Sequence, residues 1–212
     1  MSIRRSRPGD EAELRALWQA VFQDSEEFLD GFFSLLYRPG LAALAQEGEK
    51  IVSAAYALPV GNTFYLYALA TLPAFRGRGL GKAVTLAALD GRGGYLYPAE
   101  ESLRDWYRRE MGAADCPLAP SLTLPDGLRT QIGPEEYNMA REMLLQGIPH
   151  AVYPLSYLRL FALDGRFYRC GGSVFALGPE GTVKEVLPGV RPGVQAMALN
   201  GAPPVYWGLV LD

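Results

Sequence analysis

"LATLPAFRGRGLGKAV", residues Leu69 to Val84, decides how this chain is read. The run that leads into it, "FYLYALA" (64–70), is uncharged, aromatic and β-prone, and "AVTLAALD" (83–90) reads as a helix. Between them lie Arg76, Gly77, Arg78, Gly79, Gly81 and Lys82. Each glycine gives up more backbone freedom on folding than any other residue, so a cluster at a strand-to-helix junction needs a reason. Something approaches that backbone closely, and the basic side chains make it anionic. A helix amino terminus offers unpaired N–H groups and the positive end of the dipole, which suit phosphate.

The rest of the chain limits what that anion belongs to. With 212 residues it holds one large domain or two small ones, either able to bury a core. Hydrophobic residues make up 49% and charged residues 20%, the balance of a soluble globular protein. A net charge of -3 with no long basic face argues against a nucleic-acid partner and makes the cluster at 76–82 a local feature. Cys116 and Cys170 match no metal spacing, and the single histidine, His150, builds no metal site alone. "MSIRRSRPGDEAEL" lacks the apolar core of a signal peptide, and no run reaches transmembrane length. These features lead us to expect a cytoplasmic protein with free thiols, no metal and no membrane partner.

Punctuation in the first half is clear. "SIRRSRP" reads as a short strand, and Leu14, Leu17, Trp18, Val21 and Phe22 then recur at helical spacing. Asp10 with Glu13, and Asp24 with Glu27, carry the spacing of capping boxes at the starts of two helices. Phe28, Phe32, Leu35 and Leu36 form the apolar stripe of the second. Residues 41–71 read as three strands, turning at Glu47-Gly48-Glu49 and at Gly61-Asn62. The glycine cluster and its helix follow, then the strand "YLYPA" and the helix "EESLRDWYRREMG". From about Cys116 the texture changes. "CPLAPSLTLPDGLRTQIGPEE" reads as a linker or irregular excursion, 133–147 as a helix, and the remainder as strands with Asp-Gly, Gly-Gly and Glu-Gly turns. We therefore expect one domain at 1–115 and a second at 116–212.

Two familiar phosphate loops do not fit the cluster. A P-loop needs glycine five residues before its Gly-Lys pair and Ser or Thr after it, where this chain has Arg76 and Ala83. A dinucleotide fingerprint needs G-x-G-x-x-G, whereas Gly77, Gly79 and Gly81 alternate. Instead, "TLPAFRGRGLGKAV" resembles the acetyl-coenzyme A signature of the Gcn5-related N-acetyltransferase (GNAT) superfamily. The core of that signature is Arg or Gln, two residues, Gly, one residue, then Gly or Ala. Arg76, Gly79 and Gly81 take those places, with Pro73 at the usual offset, and the element order through residue 115 is also that of the family.

The resemblance implies an α/β (α+β) fold of the GNAT acyl-CoA N-acyltransferase type: a mixed, mostly antiparallel central sheet flanked by helices. A smaller α+β carboxy-terminal part follows, similar to extensions of bacterial members. It also implies acetyl-CoA as cosubstrate. Its pyrophosphate would lie on the backbone of Arg76, Gly77, Arg78, Gly79, Leu80, Gly81 and Lys82. Its pantetheine arm would add as a pseudo-strand along Leu69, Ala70 and Thr71, recognised by main-chain hydrogen bonds. The reaction implied is transfer of acetyl to a primary amine of a small molecule or peptide, by direct attack, since no activated Cys or Ser nucleophile stands out.

That transfer needs a proton for the departing thiolate. In GNAT enzymes a tyrosine in the helix after the fifth strand often supplies it, and Tyr107 is the matching residue, one position further from Gly112 than usual. A phenol with a pKa of about 10 suits the role. The alternative is that Tyr107 packs with Trp106 against the sheet, which would make Tyr65 or Tyr67 the next candidates. "FYLYALA" carries no Asp or Glu to act as base. Glu100 and Glu101 read as first-turn acids favoured by the helix dipole, with a place near the cleft as their other reading. Asp24, Glu26 and Glu27 read as capping or solvated groups beside the acceptor side. His150 reads as a surface or hydrogen-bonded residue and Cys170 as a packed thiol. Residues 116–212 have no second R-x-x-G-x-G, so they would complete a core, close the acceptor cleft or make a homodimer. The competing class is a non-catalytic acyl-CoA sensor, distinguished by binding without turnover.

Overall fold

In the computed structural model, which describes residues 1–211, the amino-terminal run forms strand β1 (Ser2–Arg5). Helices α1 (Glu11–Val21) and α2 (Glu26–Leu35) follow, then strands β2 (Ala42–Glu47), β3 (Lys50–Val60) and β4 (Thr63–Thr71). Helix α3 (Leu80–Leu89), strand β5 (Gly94–Leu96) and helix α4 (Ser102–Met111) complete the series. These five strands run in the order β1-β2-β3-β4-β5 within a 7-stranded sheet. The first three pairings are antiparallel and β4 with β5 is parallel, so the sheet is mixed and mostly antiparallel. Eight consecutive residues of β3, Ile51 to Leu58, are buried, because α1 and α3 both pack on it.

An aromatic cluster holds α1 and α2 to the sheet. The Trp18 ring lies 4.6 Å from Phe32, 5.5 Å from Tyr56 and 5.8 Å from Tyr67. Both capping-box expectations are corrected here. Asp10 takes a helical conformation and caps nothing with its side chain. Its carboxylate instead accepts from Arg4 at 2.7 and 2.8 Å and from the Arg7 amide at 2.6 Å, and the Arg4 guanidinium holds it below its ordinary pKa. The cap of α2 is Ser25, whose Oγ accepts from the Phe28 amide, while Asp24 accepts from Trp18 Nε1 at 2.7 Å. A buried indole N–H needs an acceptor, and the short helix connection, residues 22–25, places Asp24 to supply it.

The chain divides into two compact units. One is Met1–Ala113 with Ala198–Ala202, and the other is Ala114–Met197 with the segment that starts at Pro203. The second opens with the short strands β6 (Ala114–Asp115), β7 (Leu118–Ser121) and β8 (Thr130–Ile132), so the proline-rich run is not simply a linker. Helices α5 (Pro134–Leu144) and α6 (Leu155–Phe161) precede β9 (Arg166–Cys170), β10 (Ser173–Leu177), β11 (Val183–Pro192) and β12 (Met197–Leu199). The second sheet runs β7-β11-β10-β9-β8, antiparallel throughout. Helix α6 corrects the expectation of strands after residue 155. Tyr157, Leu158, Leu160 and Phe161 are buried while Arg159 is exposed, and a run of 7 residues is too short for its period to separate helix from strand.

The second unit is centred on a buried ion pair. Arg141 of α5 and Glu185 of β11 are both fully buried, with Arg141 Nε 3.1 Å from Glu185 Oε2. Tyr137 and Tyr206 donate their hydroxyls to the same carboxylate, and Arg141 also reaches the carbonyls of Ala151 and Trp207 at 2.7 and 3.1 Å. Every polar edge of the pair is met, the condition under which buried charges are tolerated. His150 is hydrogen-bonded, with Nδ1 2.6 Å from Ile148 O and Nε2 3.1 Å from Glu142. Cys116 and Cys170 are buried free thiols, and Cys170 packs on Phe175 and Val186. Among the described residues no helix is long and apolar enough to cross a membrane.

Candidate functional site

The site begins where β4 leaves its neighbour. β4 pairs with β5 at Tyr65–Tyr95 and Leu66–Leu96, and no pairing follows. On the other side, Ala54 faces Ala70 and Tyr56 faces Tyr67, so Ala68 and Leu69 together stand against Ala55. Ala68 sits at φ 49°, the left-handed conformation of a β-bulge, which bends the strand. Beyond it the Leu72 amide donates to Val52 O at 3.0 Å. Alternate residues of an antiparallel strand bond the same neighbour, so Ala70 faces β3 while the Leu69 carbonyl and the Thr71 amide face the open side.

The glycine loop follows this exposed edge. Gly77 and Gly79 have φ of 75° and 73°, and a Cβ at either would meet nothing within 4 Å. Their need for glycine is conformational, and the space beside them is open. Gly79 is the N-cap of α3 and offers no side chain to the helix. The Ala83 amide donates to Gly79 O at 3.1 Å, so the Leu80, Gly81 and Lys82 amides precede the first intrahelical bond. Gly81 has ordinary dihedrals, and a Cβ there would lie 3.8 Å from Leu69 and Thr71 side-chain atoms.

The two arginines are braced by the loop itself. Arg76 Nε donates to Thr71 O at 3.2 Å. Arg78 donates to Ala74 O at 3.2 Å and stacks over Phe75 at 4.9 Å.

Leu69, Thr71, Arg76, Gly77, Gly79, Leu80, Gly81, Lys82 and Tyr107 all line one cleft of about 830 Å³. Ala70 and Arg78 are not on its wall, since Ala70 is buried and Arg78 is turned onto Phe75. Tyr107 is 7% exposed and meets the Trp106 ring edge-on at 4.9 Å. It therefore packs on Trp106 and reaches the cleft at once, two roles the sequence set as alternatives. Burial pushes its phenol up to about 12, above the ordinary value near 10 expected from sequence.

Among the wall residues that the sequence does not single out for the cleft are Val21, Phe22, Leu103 and Glu110. Val21 and Phe22 were read as core stripe, yet Phe22 is 38% exposed at the end of α1. Glu110 Oε2 lies 3.5 Å from Lys82 Nζ and Oε1 lies 3.0 Å from Arg109 Nε, and these cations hold its carboxyl below the usual range. Lys82 was read from its own neighbourhood only, and nothing local to it announces a partner 28 positions later.

Known proteins share this fold. The Acetyltransferase (GNAT) family model matches residues 11–95, from the start of α1 through β5, and stops short of α4 and Tyr107. A candidate acetyltransferase from Pyrococcus horikoshii superposes with a TM-score of 0.67 at 12% identity, over 99% of this chain and 94% of its own. GCN5-related N-acetyltransferases from Kribbella flavida and Anabaena variabilis superpose with TM-scores of 0.55 and 0.59 at 15% and 13% identity. They cover 87% and 93% of this chain, which spans only 57% and 58% of theirs. At such identities the likeness is one of fold. No curated protein matches the sequence. Strands β2 to β4, most of β5, the bulge of β4 and the glycine loop thus lie within residues 11–95, the segment that matches the Acetyltransferase (GNAT) family model.

Proposed function

We propose that the chain is a cytoplasmic N-acetyltransferase that moves acetyl from acetyl-CoA to a primary amine of a small molecule or peptide. The observation that carries this reading is the cleft. An open strand edge, a left-handed glycine loop, uncapped helix amides and a buried tyrosine line a single space. In this reading residues 1–115 are the acetyltransferase domain and 116–212 an α+β part with no coenzyme site.

Each part suits a different portion of acetyl-CoA. The amides across Arg76, Gly77, Arg78, Gly79, Leu80, Gly81 and Lys82 would hold the pyrophosphate, which the open space beside Gly77 and Gly79 admits. Arg76 and Lys82 add attraction from the wall, and Arg78 from the loop. The outward main-chain groups of Leu69 and Thr71, with Ala70 holding the strand to β3, would pair with the pantetheine amides.

The bound cosubstrate supplies the thioester, and the residues supply the rest. An amine nitrogen attacks the thioester carbon, a C–N bond forms and the C–S bond breaks. Tyr107 gives its proton to the departing sulfur, and the nitrogen loses one to water in the cleft, because β4 bears no carboxylate. The cleft wall holds no cysteine or serine, which favours direct attack over an acyl-enzyme.

Thiol release measured over a panel of amines tests the reading. Tyr107→Phe keeps the ring on Trp106, and no described residue hydrogen-bonds the lost hydroxyl, so the fold should hold. General acid catalysis is worth about 10²–10⁴-fold. Turnover should fall by that factor with acetyl-CoA affinity nearly level. Full activity in the variant removes Tyr107 from the reaction. Binding of acetyl-CoA with no thiol released from any amine makes the protein a sensor.

A further inference from the structure

We infer that Glu100 is a specificity-determining residue for the acceptor, pairing with a second positive charge carried by the amine. The inference rests on the acetyltransferase reading and adds to it the class of acceptor.

Helix α4 and the residue pair ahead of it give a ruler along the cleft. Glu100, Leu103, Tyr107 and Glu110 recur at helical spacing and all line its wall. Glu110 is at the loop end, since its carboxylate lies 3.5 Å from Lys82 in the first turn of α3. At a rise of about 1.5 Å per residue, Glu100 stands roughly 10 Å beyond Tyr107 in the opposite direction.

Strand β4 gives a second ruler. Thr71 leads to the loop, whereas Tyr67 lies near the point where β4 leaves β5. Phe22 is at that latter end. Its ring meets Trp18 at 5.6 Å, and Trp18 meets Tyr67 at 5.8 Å. Glu100 also belongs there, four residues past Leu96, the last residue of β5 to pair with β4. Both rulers therefore put the phosphate loop at one end of the cleft and Glu100 with Phe22 at the other. A thioester within reach of Tyr107 leaves that far end for the acceptor.

The carboxylate is available there. The first amides of α4 are met by main-chain oxygens, Leu103 N–H to Glu100 O and Arg104 N–H to Glu101 O, each at 3.0 Å. Glu100 thus does not cap the helix with its side chain, contrary to the first-turn reading. That side chain accepts only from Ser102 Oγ, at 3.1 Å. Neighbouring acids are committed elsewhere: Glu101 to Arg104 at 2.8 Å, Glu110 to Lys82 and Arg109, Asp24 to Trp18, and Glu26 to Gln19 at 2.9 Å. Among the described residues Glu100 is the cleft-lining carboxylate without a cation, and the half-buried Val21 and exposed Phe22 suit the hydrocarbon between two amines. The acceptor it fits is a short aliphatic chain with an amine to acetylate at one end and a cation at the other.

The test compares hexylamine with diaminohexane on the full chain. Counted per primary amine, which removes the statistical factor of two, wild type should favour the diamine in kcat/KM by roughly two- to fivefold, the yield of an exposed ion pair. Glu100→Gln should lose that preference, and Glu101→Gln should retain it. Calorimetric titration of diaminohexane into protein saturated with coenzyme A gives the same comparison without turnover. An equal loss on both amines would make Glu100 serve the reacting nitrogen, and an unchanged preference would remove it from the acceptor site. Either result overturns the inference while thiol release itself leaves the acetyltransferase reading standing. Absence of both thiol release and coenzyme binding defeats that reading first.

Discussion

Two glycines of the same loop should respond in opposite ways to one added methyl group. At Gly79, φ is 73° and a Cβ would meet no atom within 4 Å. Alanine there suffers no clash in the free protein but must hold a left-handed conformation, which costs about 1–2 kcal/mol for a residue with a Cβ. At Gly81 the dihedrals are helical, and the nearest atoms, on Leu69 and Thr71, stand at 3.8 Å, an ordinary contact. Alanine is the better helix former by about 1 kcal/mol, so Gly81→Ala should leave stability level or raise it. Urea denaturation should therefore place Gly79→Ala below wild type and Gly81→Ala level with or above it. Coenzyme affinity should separate them further. If the open space beside Gly79 is where pyrophosphate lies, its new methyl group overpacks that contact, at about 1–3 kcal/mol, or roughly five- to hundredfold in Kd. Gly81→Ala points its methyl at the strand and should bind acetyl-CoA within about threefold of wild type, on the standard that 1.4 kcal/mol is tenfold. Calorimetry on both folded variants decides the matter. Equal affinities for Gly79→Ala and wild type would mean that the loop backbone does not receive the pyrophosphate.

Three further expectations follow from single contacts. Arg76→Ala should weaken acetyl-CoA more at low than at high ionic strength, because an exposed guanidinium attracts through screened charge; a salt-independent loss would point to the broken Thr71 contact and a collapsed loop. Glu185→Gln removes the buried counter-ion of Arg141 and leaves it only the half-buried Glu142 at 3.3 Å, so the full chain should lose about 3–5 kcal/mol in urea denaturation; a loss under 1 kcal/mol would show that Glu142 or entering water compensates the charge. Asp10 titrates below its ordinary 3.8 in the folded chain because Arg4 holds it ionised. Its contribution to stability is therefore complete above that pH and is lost as pH falls through the lower folded value. Asp10→Asn should lack this part of the acid transition, and identical acid melts would assign it to other carboxylates.

Legibility in the sequence followed the range of the physics. The glycine loop was readable because its demands are local: positive φ at Gly77 and Gly79, open space beside them, and a helix start without a capping side chain all lie within a few residues. The sheet order was readable too, since short turns at Gly48 and Gly61 leave β2, β3 and β4 little choice but to pair in turn. What failed was partner choice. Asp10 and Asp24 have the spacing of caps, yet each goes to a stronger demand, a guanidinium and a buried indole, that helix spacing does not encode. Ala68 is the sharper case. It bends β4 at the very place where the strand must leave β5, and alanine in an apolar run carries no sign of a left-handed backbone. Such a bulge is imposed by what packs around it: Tyr56 opposite Tyr67 on one side, Ala54 opposite Ala70 on the other, and one residue too many between them. The cleft's opening is therefore set by a register mismatch across two strands. Glu100 is the same lesson for charge. Its sequence neighbourhood makes it a helix-start acid, and only the helix's own carbonyl bonds, together with the partners of Glu101 and Glu110, leave its carboxylate for a ligand.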